Sequence, residues 1–396
     1  MQVYFDNAAT TKLSARARES MLRVSDDIFG NPSSLHAFGQ AASSELQRAR
    51  ETVARCLNAA PREIYFTSGG TEADNQAIFT CAEIGAAKGK KHIVSTAIEH
   101  HAVLHCLEQL EKERGFRITL LPVDESGVIK LQDLEAAVCD ETCLVTVMFA
   151  NNEIGTIQPV EAVGRFCRGK KIPFHCDAVQ AVGHVPVDVK ALSIDYLSLS
   201  GHKFHGPKGV GALYARQGMP LRSLLLGGAQ ERNRRAGTEN LPAIAGMAAA
   251  LEEAVSELGE VGPRLTGYRE KLINGLLNVQ RSHLNGDRAR RLPGNVNFCF
   301  EGLEGESLLL LLDHRGVAAS SGSACTSGSL DPSHVLLALG RPHEIAHGSL
   351  RLTLSRYTTQ EEVDYTLAVI PAVVDYLRDI SPVWERIMRE EQEKAQ

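Results

Sequence analysis

The sequence predicts an α/β protein in two parts: a large unit with a mainly parallel sheet flanked by helices, and a smaller α+β unit. Three observations predict it. From about Glu63 to Tyr214, short β-type runs alternate with helical stretches, the pattern of parallel strands joined by crossover helices. Beyond about Gly262 the pattern changes to longer helices around fewer strands. A chain of 396 residues also exceeds the size at which one hydrophobic core stops growing.

Residues 64–67, 93–95, 118–123, 144–149, 172–175 and 196–199 are aliphatic or β-branched runs and read as strands. Residues 71–88, 102–112, 131–138 and 159–168 lie between them and read as helices. Alternation of this kind places helices on both faces of the sheet. Gly206-Pro207-Lys208-Gly209 then turns the chain tightly into 210–214, which predicts an antiparallel hairpin strand. In the second part 295–300, 317–320 and 349–354 read as strands, 360–378 as a helix, and the polar tail 386–396 as a solvated helix. We assign 15–261 to the large unit, and 1–14 with 262–396 to the small one.

Composition narrows the function classes. With 43% apolar, 23% charged and 5% aromatic residues the chain belongs with ordinary globular proteins. A net charge of −6 gives no field to hold nucleic acid or an anionic membrane. The longest aliphatic run, 308–312, is far short of the ~20 residues a membrane span needs. The first residues have neither the basic nor the apolar region of a signal peptide, so a soluble, cytoplasmic protein is expected.

Nine cysteines make an odd count. Cys56, Cys81, Cys106, Cys167 and Cys299 fall in apolar segments and read as reduced core thiols. Cys325 differs, because Ser320-Ser321-Gly322-Ser323-Ala324-Cys325-Thr326-Ser327-Gly328-Ser329 has almost no apolar side chain. An exposed, mobile loop is expected there.

Candidate chemistry gathers at the predicted strand ends. Tyr196-Leu197-Ser198-Leu199 closes on Ser200-Gly201-His202-Lys203, and Ile172-Pro173-Phe174-His175-Cys176 closes on Asp177. A strand-end lysine can bind an aldehyde as a Schiff base, and a buried aspartate can keep a pyridine nitrogen protonated, which together suit pyridoxal phosphate. Thr67-Ser68-Gly69-Gly70-Thr71-Glu72, between a strand and a helix, reads either as a phosphate cradle or as a capped turn. Glu99-His100-His101 and Asn151-Asn152-Glu153 follow two further strands. An imidazole at the first could stack on a ring, and amides at the second could fix an oxygen. Asp177 and Gln180, three residues apart, could reach a ring nitrogen and a ring hydroxyl. His105, four residues past His101, reads as a helix-surface residue, not a zinc ligand, since no glutamate follows His101 and no CxxC exists. Thr71, His100, Asn152, Asp177 and Lys203 therefore fall on one edge of the sheet, where α/β proteins bind ligands.

With these motifs in hand, the chain resembles cysteine desulfurases of the NifS/IscS type, in the class V aminotransferase group of fold-type I pyridoxal phosphate enzymes. The resemblance runs through Asp6-Asn7-Ala8-Ala9-Thr10-Thr11, Gly30-Asn31-Pro32-Ser33-Ser34-Leu35-His36, 67–75, 151–155, 200–211, Arg235-Ala236-Gly237-Thr238-Glu239-Asn240, 321–329 and 351–356. It implies pyridoxal 5'-phosphate as cofactor, with Lys203 as its Schiff-base lysine, Asp177 on the ring nitrogen and His100 stacked on the ring. It implies that Asn152 and Gln180 address the ring oxygen, that Gly70, Thr71, Ser200 and His202 hold the phosphate, and that Thr238 reaches it from the second subunit of a homodimer.

Asn152 and Arg351 are implied to bind the substrate, L-cysteine, with Arg351 on its carboxylate. Cys325, aided by His100 as acid and base, is implied to take the sulfur as a persulfide, releasing L-alanine. The sulfur would pass to a scaffold protein for iron–sulfur clusters, and no metal is expected beyond a transient iron–sulfur contact through Cys325. His101 and Ser321 depart mildly from the family's usual residues. The wording around Cys325 and Thr238 stands nearest the nitrogen-fixation-associated branch. Selenocysteine lyases and class V aminotransferases would use the same Lys203, Asp177 and Arg351, and transamination needs no loop thiol, so Cys325 discriminates.

Overall fold

The computed structural model describes residues 1–322 and 332–395, so Cys325 lies outside the described residues. Its first eight strands are β1 (Val3–Tyr4), β2 (Ile64–Thr67), β3 (His92–Thr96), β4 (Arg117–Leu121), β5 (Thr142–Thr146), β6 (Phe174–Asp177), β7 (Tyr196–Ser200) and β8 (Gly211–Ala215). Four more follow: β9 (Ser282–Leu284), β10 (Asn295–Phe300), β11 (Val317–Ala318) and β12 (Ser349–Thr353). The helices begin with α1 (Ala15–Asp27), α2 (Ala37–Cys56), α3 (Gly70–Ala87), α4 (His101–Arg114), α5 (Leu131–Ala137), α6 (Val160–Lys170) and the single turn α7 (Gln230–Asn233). They continue with α8 (Leu241–Ser256), α9 (Leu258–Leu276), α10 (Gly305–His314), α11 (His334–Ala338), α12 (His343–Ala346), α13 (Gln360–Asp379) and α14 (Pro382–Ala395).

The large sheet runs β2-β8-β7-β6-β5-β3-β4. All pairings from β7 to β4 are parallel, while β8 is antiparallel to both β2 and β7, as the tight turn after Lys203 requires. Strands β3, β5, β6, β7 and β8 are buried at every residue, the signature of a sheet covered on both faces, and the edge strand β4 is mostly open. The smaller antiparallel sheet, β12-β10-β9, and the parallel pair β1-β11 carry a second core. Val3 and Phe5 join it beside Val296, Phe298, Leu350 and Leu352, so the chain's first residues pack with its last third.

Several element boundaries move. The strand expected at 118–123 stops at Leu121, because Pro122 has no N–H to give the ladder. The run 144–149 is assigned as strand only to Thr146, yet Val147 and Phe149 still donate to the carbonyls of His175 and Asp177 at 3.1 and 2.8 Å. The predicted elements omit α1, α2, α8 and α9, and α9 runs across position 262. Cys81, Cys106, Cys167 and Cys299 are buried free thiols, whereas Cys56 is half-buried. Among the described residues no helix is long and apolar enough to cross a membrane.

Candidate active site

Five strand-to-helix or strand-to-loop junctions open onto one edge of the large sheet. There Gly70, Thr71, His100, Asn152, Asp177, Gln180, Ser200, His202, Lys203 and Arg351 surround a cavity of ≈ 290 Å³. Strand direction explains why: β2, β3, β5, β6 and β7 all point the same way, so their C-terminal ends fall on one edge of the sheet.

At one end of the cavity the backbone of Gly69 and Gly70 starts α3, with Ser200 beside it. A Cβ on Gly211 would stand 2.8 Å from the Gly69 backbone and 2.5 Å from the Leu199 carbonyl, so only glycine lets β8 run this close to the α3 turn. The helix N-terminus, Thr71 and Ser200 make this end suited to an anion. Ser200 and His202 come from β7 and the 3-10 turn after it, Gly201–Lys203. His202 Nδ1 lies 3.1 Å from Thr10 Oγ1, and burial, aided by Lys203, pushes its pKa down to about 4.

Lys203 extends between this end and Asp177, with its amine 2.5 Å from the Ala8 carbonyl and 3.0 Å from that of Ala9. The N-terminal segment thus roofs the lysine, and Gln180 Nε2 also donates to Ala8 O, at 3.0 Å. Asp177 is 6% exposed and accepts the Val179 N–H at 2.9 Å. Burial first, then the charge of Asp74, pushes its carboxyl up to about 7.

His100 caps α4, and its Nδ1 accepts the Ala102 N–H at 3.1 Å. With Nδ1 occupied as an acceptor, the neutral ring carries its proton on Nε2. Burial, then Lys203, pushes its pKa down to about 4, so the ring is neutral near pH 7.

Arg351 is 2% exposed on β12 and donates to the Asn152 carbonyl at 3.0 Å, to Asp6 Oδ1 at 3.0 Å and to Ser320 Oγ at 3.2 Å. Its Nε has no hydrogen-bond partner among the described residues. Ser320 and Ser333, on either side of the undescribed segment, are held at Arg351 and at Glu153 respectively. His334 Nε2 reaches the Glu99 carbonyl at 3.1 Å.

Thr238 is exposed and does not line the cavity formed by one chain, although its neighbour Arg235 pairs with Glu72 on α3 at 2.9 Å. His105 is exposed, as expected. Sequence reasoning gave no role to Asp74, Ala8, Ala9, Thr10 or Met148, which the fold brings to the same place. For Asp74 a signal existed: it lies three residues past Thr71, one turn along the same helix face. Ala8 and Ala9 act through backbone carbonyls, which leave no mark on side-chain chemistry.

A parallel sheet whose strand ends bring a lysine, a buried acid and a neutral imidazole to one cavity defines an α/β enzyme of the fold-type I class. The model of the aminotransferase class-V family matches residues 3–366, and the chain belongs to that family. It is 52% identical over 396 residues to the cysteine desulfurase IscS of Clostridium botulinum, covering 99% of each chain. It is 54% identical over 381 residues to the cysteine desulfurase IscS of Methanosarcina thermophila, covering 96% of this chain and 94% of the relative. A solved NifS-like protein superposes with a TM-score of 0.90 at 43% identity, covering 95% of this chain and all of the other.

Proposed function

We propose that the chain is a cysteine desulfurase that takes the sulfur of L-cysteine onto Cys325 and releases L-alanine, supplying sulfur for iron–sulfur cluster assembly. The observation that carries this reading is the cavity shared by Lys203, Asp177, His100 and Arg351, with Ser320, on one flank of the Cys325 segment, hydrogen-bonded to Arg351. Full-length identity of about half to proteins named cysteine desulfurase supports it. The division into 15–261 and 1–14 with 262–396 goes with this reading and draws support from the separate core that joins Val3 and Phe5 to 265–377.

Pyridoxal 5'-phosphate fits these residues. The α3 N-terminus with Thr71, Ser200 and His202 would hold its phosphate, Lys203 its aldehyde carbon and Asp177 its ring nitrogen, with His100 over the ring. When bound, the coenzyme supplies an electron sink for the substrate Cα. The chain's own residues do the rest. Arg351 orients the substrate carboxylate, for which a guanidinium offers paired donors. The Lys203 amine removes the Cα proton and returns one to carbon. His100, neutral near pH 7 with its hydrogen on Nε2, offers a hydrogen-bond donor to the reacting groups; to take the proton of the Cys325 thiol at Nε2 it must carry its own hydrogen on Nδ1 instead and give up the Ala102 N–H. Cys325 thiolate attacks the substrate sulfur: an S–S bond forms, the Cβ–S bond breaks, and Cβ keeps the electron pair and is protonated to the methyl of alanine.

The second subunit has support of its own. Phe29, Leu35 and Phe38 in one stretch, and Leu225 and Leu226 in another, are exposed large apolar side chains, more than a monomer's surface ordinarily leaves in such runs. A homodimer would cover them and bring Thr238 of the second copy to the anion end. Replacing Cys325 by alanine tests the central claim: persulfide and alanine formation from cysteine should fall to background, and unchanged turnover would remove the sulfur-carrier role.

A further inference from the structure

Behind Asp177 lies a second acid that the mechanism above does not use. Asp74, on α3, is 1% exposed and lines the same cavity. Its Oδ1 has no hydrogen-bond partner among the described residues and stands 3.5 Å from His175 Nε2. His175 and Asp177, two apart on β6, share a sheet face with Ser198 of β7 and Thr146 of β5, and α3 lies across that face. His175 Nδ1 is 2.8 Å from Thr146 Oγ1, and its Nε2 is 3.0 Å from Ser198 Oγ. The Ser198 hydroxyl, on the same face, also favours the charged form of Asp74.

Either neutral tautomer satisfies both ring nitrogens: Thr146 donates to Nδ1 and Nε2–H to Ser198, or Nδ1–H donates to Thr146 and Ser198 to Nε2. His175 is then neutral, in accord with burial pushing its pKa down to about 4, and the 3.5 Å approach is not an ion pair. A carboxylate with one oxygen shut away from water and without a hydrogen-bond partner there among the described residues is costly to ionise.

We infer that Asp74 is a positioning residue that keeps its proton, holding the buried Asp74–Asp177 pair at one negative charge and leaving that charge on Asp177 to face the coenzyme ring. The second half of this inference rests on the coenzyme reading above. Two carboxyls in one buried site do not both ionise cheaply. Burial pushes both up to about 7, so local donors decide between them. Asp177 has the Val179 N–H and the field of Lys203, whereas Asp74 has the Ser198 hydroxyl. The other titratable groups facing Asp74 are Lys203, which lines the same cavity and lowers the pKa of Asp177, His175 and Cys176 on β6, Glu99 and His100 ahead of α4, and Cys106 on α4; apart from Lys203 none of them brings a cation at neutral pH.

The test is Asp74→Asn, which keeps the shape and removes the acid. A carboxyl whose folded pKa is raised stabilises the fold at low pH and loses that contribution as pH rises through the folded value. Between about pH 5 and 6.5, the unfolding constant of the coenzyme-free full chain should therefore climb about tenfold more per pH unit in the wild type than in Asp74→Asn. In the coenzyme-loaded variant, the pH midpoint of coenzyme absorbance should shift downward, because Asp177 has lost its competitor. Equal pH slopes in the two proteins overturn the inference. An unchanged absorbance midpoint with a changed slope overturns its coupling to Asp177. A protein that takes up no coenzyme while the slopes differ refutes the coenzyme reading and leaves the proton on Asp74 standing. Should Asp74→Asn not fold, Ser198→Ala removes the hydroxyl donor, and the climb should then extend past pH 7; no extension overturns the proposal.

Discussion

The guanidinium of Arg351, on the last strand, meets the carboxylate of Asp6 at 3.0 Å, and the pair closes the N-terminal segment over the cavity. The same segment carries Ala8 and Ala9, whose carbonyls face the Lys203 amine. One contact thus links the proposed substrate-binding cation to the roof of the lysine.

Asp6→Asn should weaken that link without emptying it, since Arg351 keeps Asn152 O and Ser320 Oγ. Loss of a charge-assisted hydrogen bond to a buried guanidinium costs about 1–3 kcal/mol. Urea unfolding should report a loss in that range, and KM for cysteine should change more than kcat. A variant as stable as the wild type would mean that the pair contributes nothing.

A second buried pair has no contact with substrate and serves as a control on stability alone. Arg50 meets Glu231 through two hydrogen bonds, 2.8 and 2.6 Å, with side chains 8% and 1% exposed. Glu231 also accepts the Phe66 N–H at 2.9 Å. Glu231→Ala strands a buried cation and an unpaired backbone donor, and should cost about 3–5 kcal/mol in denaturant titration.

Gly70→Ala addresses the anion end. A Cβ there would lie 2.5 Å from Val179 Cγ2, on a β-branched side chain with little rotamer freedom. The start of α3 must shift, so coenzyme affinity, followed by absorbance on titration, should fall at least tenfold while the circular dichroism spectrum is kept. Unchanged affinity would remove the α3 turn from the phosphate site.

His205 supplies a pH prediction of opposite sign to that of Asp74. Its Nδ1 lies 2.8 Å from the Lys12 carbonyl, and burial pushes its pKa down to about 4. The folded state therefore binds fewer protons than the unfolded chain between pH 6.5 and 4, and stability is lost as pH falls through that window. His205→Asn should flatten the acid limb of the stability profile by about one proton. Asparagine is the apt replacement because the residue has φ of 66°, which asparagine tolerates. An acid limb of unchanged slope would refute the assignment.

Much of this architecture could be read from the chain, because β2, β3, β5, β6 and β7, the strands that lead to the site, are largely apolar runs ending in a polar residue. Thr71, His100, Asn152, Asp177 and Lys203 were legible for that reason: a strand's period and direction place its last residue at the sheet edge. Helices α1, α2, α8 and α9 were not: α8 is alanine-rich and largely buried, and α1, α2 and α9 lie outside the strand–helix alternation from which the large sheet was read. Asp74 was passed over as one more polar residue in a helix, and its burial follows from α3 lying across β6 and β7.

The sequence by itself determined the alternation of strands and helices between residues 64 and 215, the sheet edge on which polar groups gather, and the reactive types available there, because these depend on local periodicity and on residues adjacent in the chain. Tertiary structure alone decided that Asp6 and Ala8 would meet Arg351 and Lys203 across hundreds of residues, and that Asp74 would share one buried site with Asp177. Burial and long-range approach set the protonation of a group, and neither is written in the residues beside it.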